Sequence, residues 1–177
     1  MITQTVREAI IHEGSVSPGY VYVIRDGDIV FYVGLSGNPC LRLRQHLGIV
    51  STHSYIYQPK DFVNDMERKN PALNSFHGSQ VGNCIRENAP ESLEWEFDIY
   101  EKQDAIDVVI RTGLAQAFPL VVEAMKRNWY EQRSIVENAL IDQLKPFLNS
   151  SENSHARNIP PKYRRTPNDS SSLHLEL

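Results

Sequence analysis

Gly19-Tyr20-Val21-Tyr22-Val23-Ile24, followed after a turn by Phe31-Tyr32-Val33-Gly34, reads as a β-hairpin rich in tyrosine. Residues 20–25 alternate and are dominated by aromatic and β-branched types, the pattern of a strand. Asp26-Gly27-Asp28 is a hairpin turn signal, and residues 29–35 form the return strand. Tyr20 and Tyr22 are two apart, so both hydroxyls project from one face. Tyr32 and Gly34 share a face on the return strand. A hairpin can bring the two tyrosine sets together, and Gly34 would let a substrate or helix approach closely. Cross-strand aromatic packing accounts for the same pattern with no function attached.

Beyond the hairpin, Asn38-Pro39 offers an N-cap followed by proline at the first helical position. The helix runs to about residue 47, where Gly48 ends it. Cys40, Leu43 and Leu47 fall on one face. Arg42 and His46, four apart, are neighbours on the opposite side, and Arg44 lies elsewhere on the wheel. Taken singly, Arg42 and His46 read as a solvated helix surface, and only their spacing carries weight. Upstream, residues 3–13 fit a short amphipathic helix, so 1–18 reads as a helical arm.

Downstream, residues 49–72 read as irregular and polar, and a helix is expected over 74–87 despite Gly78 and Gly82. Residues 94–100 alternate and predict a third strand with Trp95, Phe97 and Ile99 facing a core. Helical patterns follow over 105–117 and 119–144. In the last, Val136, Leu140 and Leu144 share a buried face, and Glu137 sits at its edge. Alone, Glu137 is explained by an i, i+4 ion pair with Arg133. From residue 150 the chain is rich in Ser, Asn and Pro, which predicts a disordered tail over 150–177. The expected class is α/β of the α+β kind: a small three-stranded antiparallel sheet flanked by helices.

At 177 residues, one domain is the default. No apolar run approaches the roughly 18–20 residues of a membrane span, and residues 1–13 have no signal-peptide core. A cytoplasmic protein with no membrane partner is expected. Cys40 and Cys84 lack zinc-ligand spacing and read as two buried thiols. The net charge of −4 is unevenly spread: residues 86–107 hold eight acidic and two basic residues, leaving the rest of the chain at +2. That balance argues against tight non-specific coating of DNA, which scales with phosphates neutralised. It leaves room for a local cationic site. Lys162, Arg164 and Arg165 form a small basic cluster that would either clamp DNA or be a solvated patch in the tail.

These residues resemble the GIY-YIG nuclease family. Family members carry a tyrosine in each hairpin strand, an arginine eight residues after the second motif's glycine, and often a histidine four later. From Gly34 those positions are Arg42 and His46, in register without a gap. The family's first tyrosine usually stands two after its glycine, whereas Tyr22 stands three after Gly19. Tyr22-Val23-Ile24 fits the usual continuation, so the resemblance assigns the motif to Tyr22, with Tyr20 as a substitute. Glu137-Asn138-Ala139-Leu140-Ile141, then Lys145-Pro146 and Asn149, resembles the closing motif of the excision-repair type, whose metal-binding glutamate opens a similar helix. The resemblance covers about residues 19–149, with 101–130 as a helical insertion in a compact core.

The resemblance implies a metal-dependent DNA endonuclease, with a small type II restriction enzyme as one form. Glu137 would ligate Mg²⁺ or Mn²⁺, and Arg42 would hold the scissile phosphate bidentately. Tyr22 would act as base or orient the water, Tyr32 would bond phosphate or water, His46 would relay a proton or contact phosphate, and Asn149 would support the geometry. Tyr20, Arg44, Lys162, Arg164 and Arg165 are further candidate DNA contacts. Cutting both strands with one site per chain would favour a homodimer or sequential nicking. The alternatives are a structure-selective repair or mobile-element nuclease, and an inactive fold that only binds nucleic acid or a protein. The intact set of Tyr22, Tyr32, Arg42, His46 and Glu137 argues against the inactive form.

Overall fold

The computed structural model describes residues 1–12, 20–51, 54–111, 113, 120–149 and 159–163. In chain order these form β1 (Ile2–Thr5), α1 (Val6–Ile11), β2 (Tyr20–Asp26), β3 (Ile29–Ser36), α2 (Pro39–Leu47), α3 (Pro59–Glu67), α4 (Gln80–Glu87), β4 (Glu96–Tyr100), α5 (Lys102–Arg111), α6 (Leu120–Arg127) and α7 (Trp129–Leu144). The sheet is antiparallel with order β1-β4-β2-β3.

The α+β class holds, but the sheet has four strands rather than three. The extra strand comes from the arm expected to be helical. Ile2-Thr3-Gln4-Thr5 alternates and pairs with β4 from Ile2↔Ile99 to Thr5↔Glu96. Thr5 then caps α1 through a capping box with Glu8, so the helix begins three residues later than its periodicity indicated. Asp98, almost wholly buried, ties three strands together. It accepts a hydrogen bond from Thr3 Oγ1 at 2.6 Å and an ion-paired one from Arg25 Nε at 2.6 Å.

Each face of the sheet carries its own core. On one, Tyr22, Ile24, Phe31, Phe97 and Ile99 pack under α1, α2, α3 and α4. On the other, Val21, Val23, Val30 and Val33 pack under α5, α6 and α7. The β2–β3 ladder slips between Ile24 and Arg25, so Ile24 faces Tyr32 while Arg25 faces Val30. Phe31 is the extra residue of a β-bulge. The bulge turns Phe31 and Tyr32 toward the same core, where Phe31 stacks on Trp95 with ring centroids 4.1 Å apart.

Other departures have local causes. The stretch expected to be irregular over 49–72 contains α3, because Phe62, Val63 and Met66 form a buried stripe. The helix expected over 74–87 is α4 alone, preceded by a 3₁₀ turn at Pro71–Ser75. The pattern over 119–144 is broken at Asn128, which separates α6 from α7. Residues 112 and 114–117 of the helix expected over 105–117 lie outside the described residues. Within the tail expected to be disordered, Pro161–Tyr163 forms a 3₁₀ turn. Tyr163 is buried there, edge-on to Phe31 and Trp95, and its hydroxyl donates to Asp26. Among the described residues no helix is long and apolar enough to cross a membrane.

Candidate active site

The site is built on the β2–β3 hairpin. Tyr22 lies directly opposite Gly34, and Tyr32 opposite Ile24, which puts both phenols and the glycine on one face. The two tyrosine rings are 5.9 Å apart between centroids and tilted at 44°. Gly34 is the floor of this pair. A Cβ there would lie 2.6 Å from Tyr32 Cε1 and 2.7 Å from the Tyr22 hydroxyl. No side chain fits without displacing the rings.

Helix α2 brings the next two groups. Asn38 caps it by accepting from Leu41 N–H, Pro39 follows, and Gly48 closes it in the left-handed conformation, as expected from sequence. Its buried face seats Cys40, Leu43 and Leu47. His46 is also buried, against Tyr32 at 5.2 Å between ring centroids. Its Nε2 is hydrogen-bonded to the Tyr22 hydroxyl at 3.0 Å. Arg42, one turn earlier, is exposed and contacts Gln45 Oε1 at 3.2 Å.

Electrostatics follow from this packing. Burial pushes the Tyr22 phenol well above its ordinary range; neighbouring Tyr32 adds to the rise, and the Arg42 guanidinium opposes it. Burial also raises Tyr32, assisted by the Glu137 carboxylate and opposed by Arg42. His46 is lowered to about 4, first by burial and then by the Arg42 charge. The Arg42 charge thus acts on all three groups, and the Glu137 carboxylate acts on Tyr32. Helix α7 reaches the hairpin because Val136 and Leu140 bury against β2 and β3. Glu137, next along, stays half-buried.

Asn149 does not point at the phenols. Its Oδ1 accepts from Val33 N–H at 2.8 Å and its Nδ2 donates to the Val33 carbonyl at 2.6 Å. Tyr20 is buried two residues before Tyr22 on the same face. Arg44 is also buried. Its guanidinium donates to the Ile10 carbonyl at 2.7 Å, to the Tyr55 hydroxyl at 2.8 Å and to the His12 carbonyl. It holds the end of α1 and is not presented to a phosphate. Lys162 pairs with Asp26 at the hairpin turn, four residues along β2 from Tyr22 and thus roughly 13 Å away. Gly19, Arg164 and Arg165 lie outside the described residues. Cys84, raised to about 12 mainly by burial, is an inert thiol, and Cys40 is likewise buried and raised.

One member of the site escaped sequence reasoning. Ser79 caps α4 through Gly82 N–H at 3.3 Å, and the same Oγ is 2.7 Å from His46 Nδ1. Its own N–H donates to the His46 carbonyl at 3.0 Å. A Cβ at Gly82 would stand 1.8 Å from that carbonyl oxygen, and one at Gly78 would stand 2.4 Å from it. The two glycines that weakened the helical pattern are therefore what let α4 close onto α2. Gly78-Ser79-Gln80-Val81-Gly82 carried the signal: an N-cap serine flanked by residues with no side chain.

No family model matches the chain, and no match is found among the curated proteins or the solved structures.

Proposed function

We propose that this chain is a GIY-YIG-type, metal-dependent DNA endonuclease that hydrolyses phosphodiester bonds. The observation that carries the reading is the convergence of Tyr22, Tyr32 and His46 on the face of Gly34, within reach of the Arg42 charge and, at Tyr32, of the Glu137 carboxylate.

Arg42 is exposed, permanently charged and suited to hold a phosphate by two parallel N–H donors. The Tyr22 side chain is fully buried, so the attacking water would have to enter beside its hydroxyl when substrate binds. Burial disfavours both a phenolate at Tyr22 and an imidazolium at His46, so a lasting charge-separated pair is costly. The transfer is therefore concerted. The water proton moves to Tyr22 Oη as the Tyr22 proton moves to His46 Nε2. The new hydroxide forms its bond to phosphorus while the bond to the leaving oxygen breaks. That oxygen departs as an alkoxide and takes a proton from water, and His46 gives its extra proton back to solvent, which restores the neutral ring. Proton transfer of this kind is worth roughly 10²–10⁴ in rate. Tyr32 donates to a phosphate oxygen or to the water.

Among the described residues no cluster of three or more His, Cys, Asp or Glu could hold a metal. The donor set thus offers the Glu137 carboxylate, with water and phosphate oxygens completing the shell. That pattern fits Mg²⁺ or Mn²⁺ and does not fit zinc. When bound, the ion would supply positive charge to the leaving oxygen and the phosphate.

The test is supercoiled plasmid with Mg²⁺, run beside Glu137→Ala. Discrete fragments from wild type and none from the variant support a restriction-type enzyme. Nicks or branched-DNA cleavage, lost in the variant, support the repair or mobile-element form. Inertness of wild type with Mg²⁺ and Mn²⁺ on plasmid and branched DNA overturns the nuclease reading.

A further inference from the structure

His46 has two ring nitrogens and, when neutral, one proton, so one nitrogen donates and the other accepts. A proton can leave Tyr22 for His46 only if Nε2 is bare, which requires the hydrogen on Nδ1. The group that faces Nδ1 decides this, and that group is Ser79 Oγ at 2.7 Å.

We infer that Ser79 is a positioning residue: it accepts the Nδ1–H of His46 and so keeps Nε2 unprotonated toward the Tyr22 hydroxyl. The inference deepens the nuclease reading and rests on it for its catalytic consequence.

Three observations carry it. Ser79 meets His46 at two points, through Oγ to Nδ1 and through N–H to the His46 carbonyl. The ring is thereby fixed relative to its own backbone. Second, Ser79 Oγ is the N-cap of α4 and already accepts from Gly82 N–H. Ser79 is exposed, so its hydroxyl hydrogen can donate to water, which leaves the second lone pair of the cap oxygen for Nδ1–H. Third, α4 presents its positive N-terminal end to the imidazole. This adds to burial and to Arg42 in opposing a resting imidazolium, so the ring waits as a neutral acceptor. The approach depends on Gly78 and Gly82, whose missing side chains make room for the His46 carbonyl. During the proposed transfer the hydrogen on Nδ1 stays there, donated to Ser79 Oγ, and the proton arriving at Nε2 is the one leaving Tyr22 Oη.

The ¹⁵N signals of His46 in full-length labelled protein at neutral pH read the tautomer directly and require no activity. Assignment comes from the His46→Asn variant. The expected spectrum has Nδ1 in the protonated range and Nε2 in the bare range. Ser79→Ala should move both toward averaged values, with the amide spectrum confirming that the variant is folded, and Ser79→Thr should restore them. In cleavage, Ser79→Ala should lower kcat by about tenfold or more with KM nearly unchanged, and Ser79→Thr should recover the loss. A wild-type spectrum with the proton on Nε2, or nitrogens indifferent to Ser79→Ala, overturns the inference. If the nitrogens behave as expected but no DNA substrate is cut, the tautomer assignment stands and the nuclease reading fails.

Discussion

Asn149 pairs with Val33 through its side chain as a strand residue would through its backbone, accepting from the amide at 2.8 Å and donating to the carbonyl at 2.6 Å. Val33 lies on β3, an edge strand of the sheet. Just before Asn149, Phe147 N–H donates to the Val30 carbonyl and Leu148 N–H to the Phe31 carbonyl. The segment leaving α7 thus covers the open edge, one of the ways proteins protect an edge from foreign strands. It also fixes the end of the helix that carries Glu137 against the strand that carries Tyr32.

Asn149→Ala removes both bonds and leaves two Val33 backbone groups without their partner. A loss of about 1–3 kcal/mol in urea unfolding is expected. Asn149→Asp should cost at least as much at neutral pH, because a carboxylate then faces the Val33 carbonyl. Cleavage by Asn149→Ala should fall under conditions where the protein remains folded. Full activity in a measurably destabilised variant would show that the tether serves stability alone.

Gly34→Ala tests the floor of the site. The added methyl must displace Tyr32 Cε1 from 2.6 Å and the Tyr22 hydroxyl from 2.7 Å. Overpacking of this kind costs about 1–3 kcal/mol. The functional effect should exceed the stability effect, since moving the Tyr22 hydroxyl stretches its 3.0 Å bond to His46. Denaturation and cleavage are measured side by side. Wild-type cleavage in Gly34→Ala would show that the placement of the two phenols does not matter.

The two arginines of α2 should give opposite results. Arg44→Met leaves the Ile10 and His12 carbonyls and the Tyr55 hydroxyl without their donor and opens a buried site. A loss of about 2–4 kcal/mol is expected, with DNA affinity of the folded fraction unchanged. Arg42→Met should leave the unfolding midpoint within about 0.5 kcal/mol, since the side chain is exposed. It should abolish cleavage and weaken phosphate binding. Unfolding curves and DNA titrations on both variants decide the matter, and equal effects would remove the distinction.

What the sequence made legible was local. The hairpin, the Asn38-Pro39 helix start, the Gly48 stop and the shared face of Tyr22, Tyr32 and Gly34 all follow from residues within a few positions of one another. Glu137 on the rim of an apolar helix face was legible for the same reason. What escaped needed distant partners. Residues 2–5 became a strand because β4 offered them an edge, and no periodicity within the arm contains that information. Arg44 looked like a surface cation until α1 placed two carbonyls over it. Ser79 drew no notice, because its partner His46 lies 33 residues earlier in the chain. The bulge at Phe31 was hidden too, since a one-residue slip leaves no mark in an apolar run.

His46 also predicts how stability depends on pH. Burial, the Arg42 charge and the α4 terminus act against its protonated form, and the uncharged Tyr22, Tyr32 and Ser79 around it offer no compensating anion. The folded imidazole titrates at about 4, against about 6.5 in the unfolded chain. The unfolded state therefore binds the extra proton between these values. The His46 contribution to stability is fully present above about pH 6.5 and is lost as pH falls toward 4. Its size is on the order of 3 kcal/mol. In His46→Asn that dependence should vanish, so the stability of wild type relative to the variant should fall by about 3 kcal/mol between pH 7 and pH 4. Urea unfolding of both proteins at several pH values in this window measures the difference directly, cancelling the carboxylates they share. Parallel curves would mean that His46 is not held neutral by its surroundings.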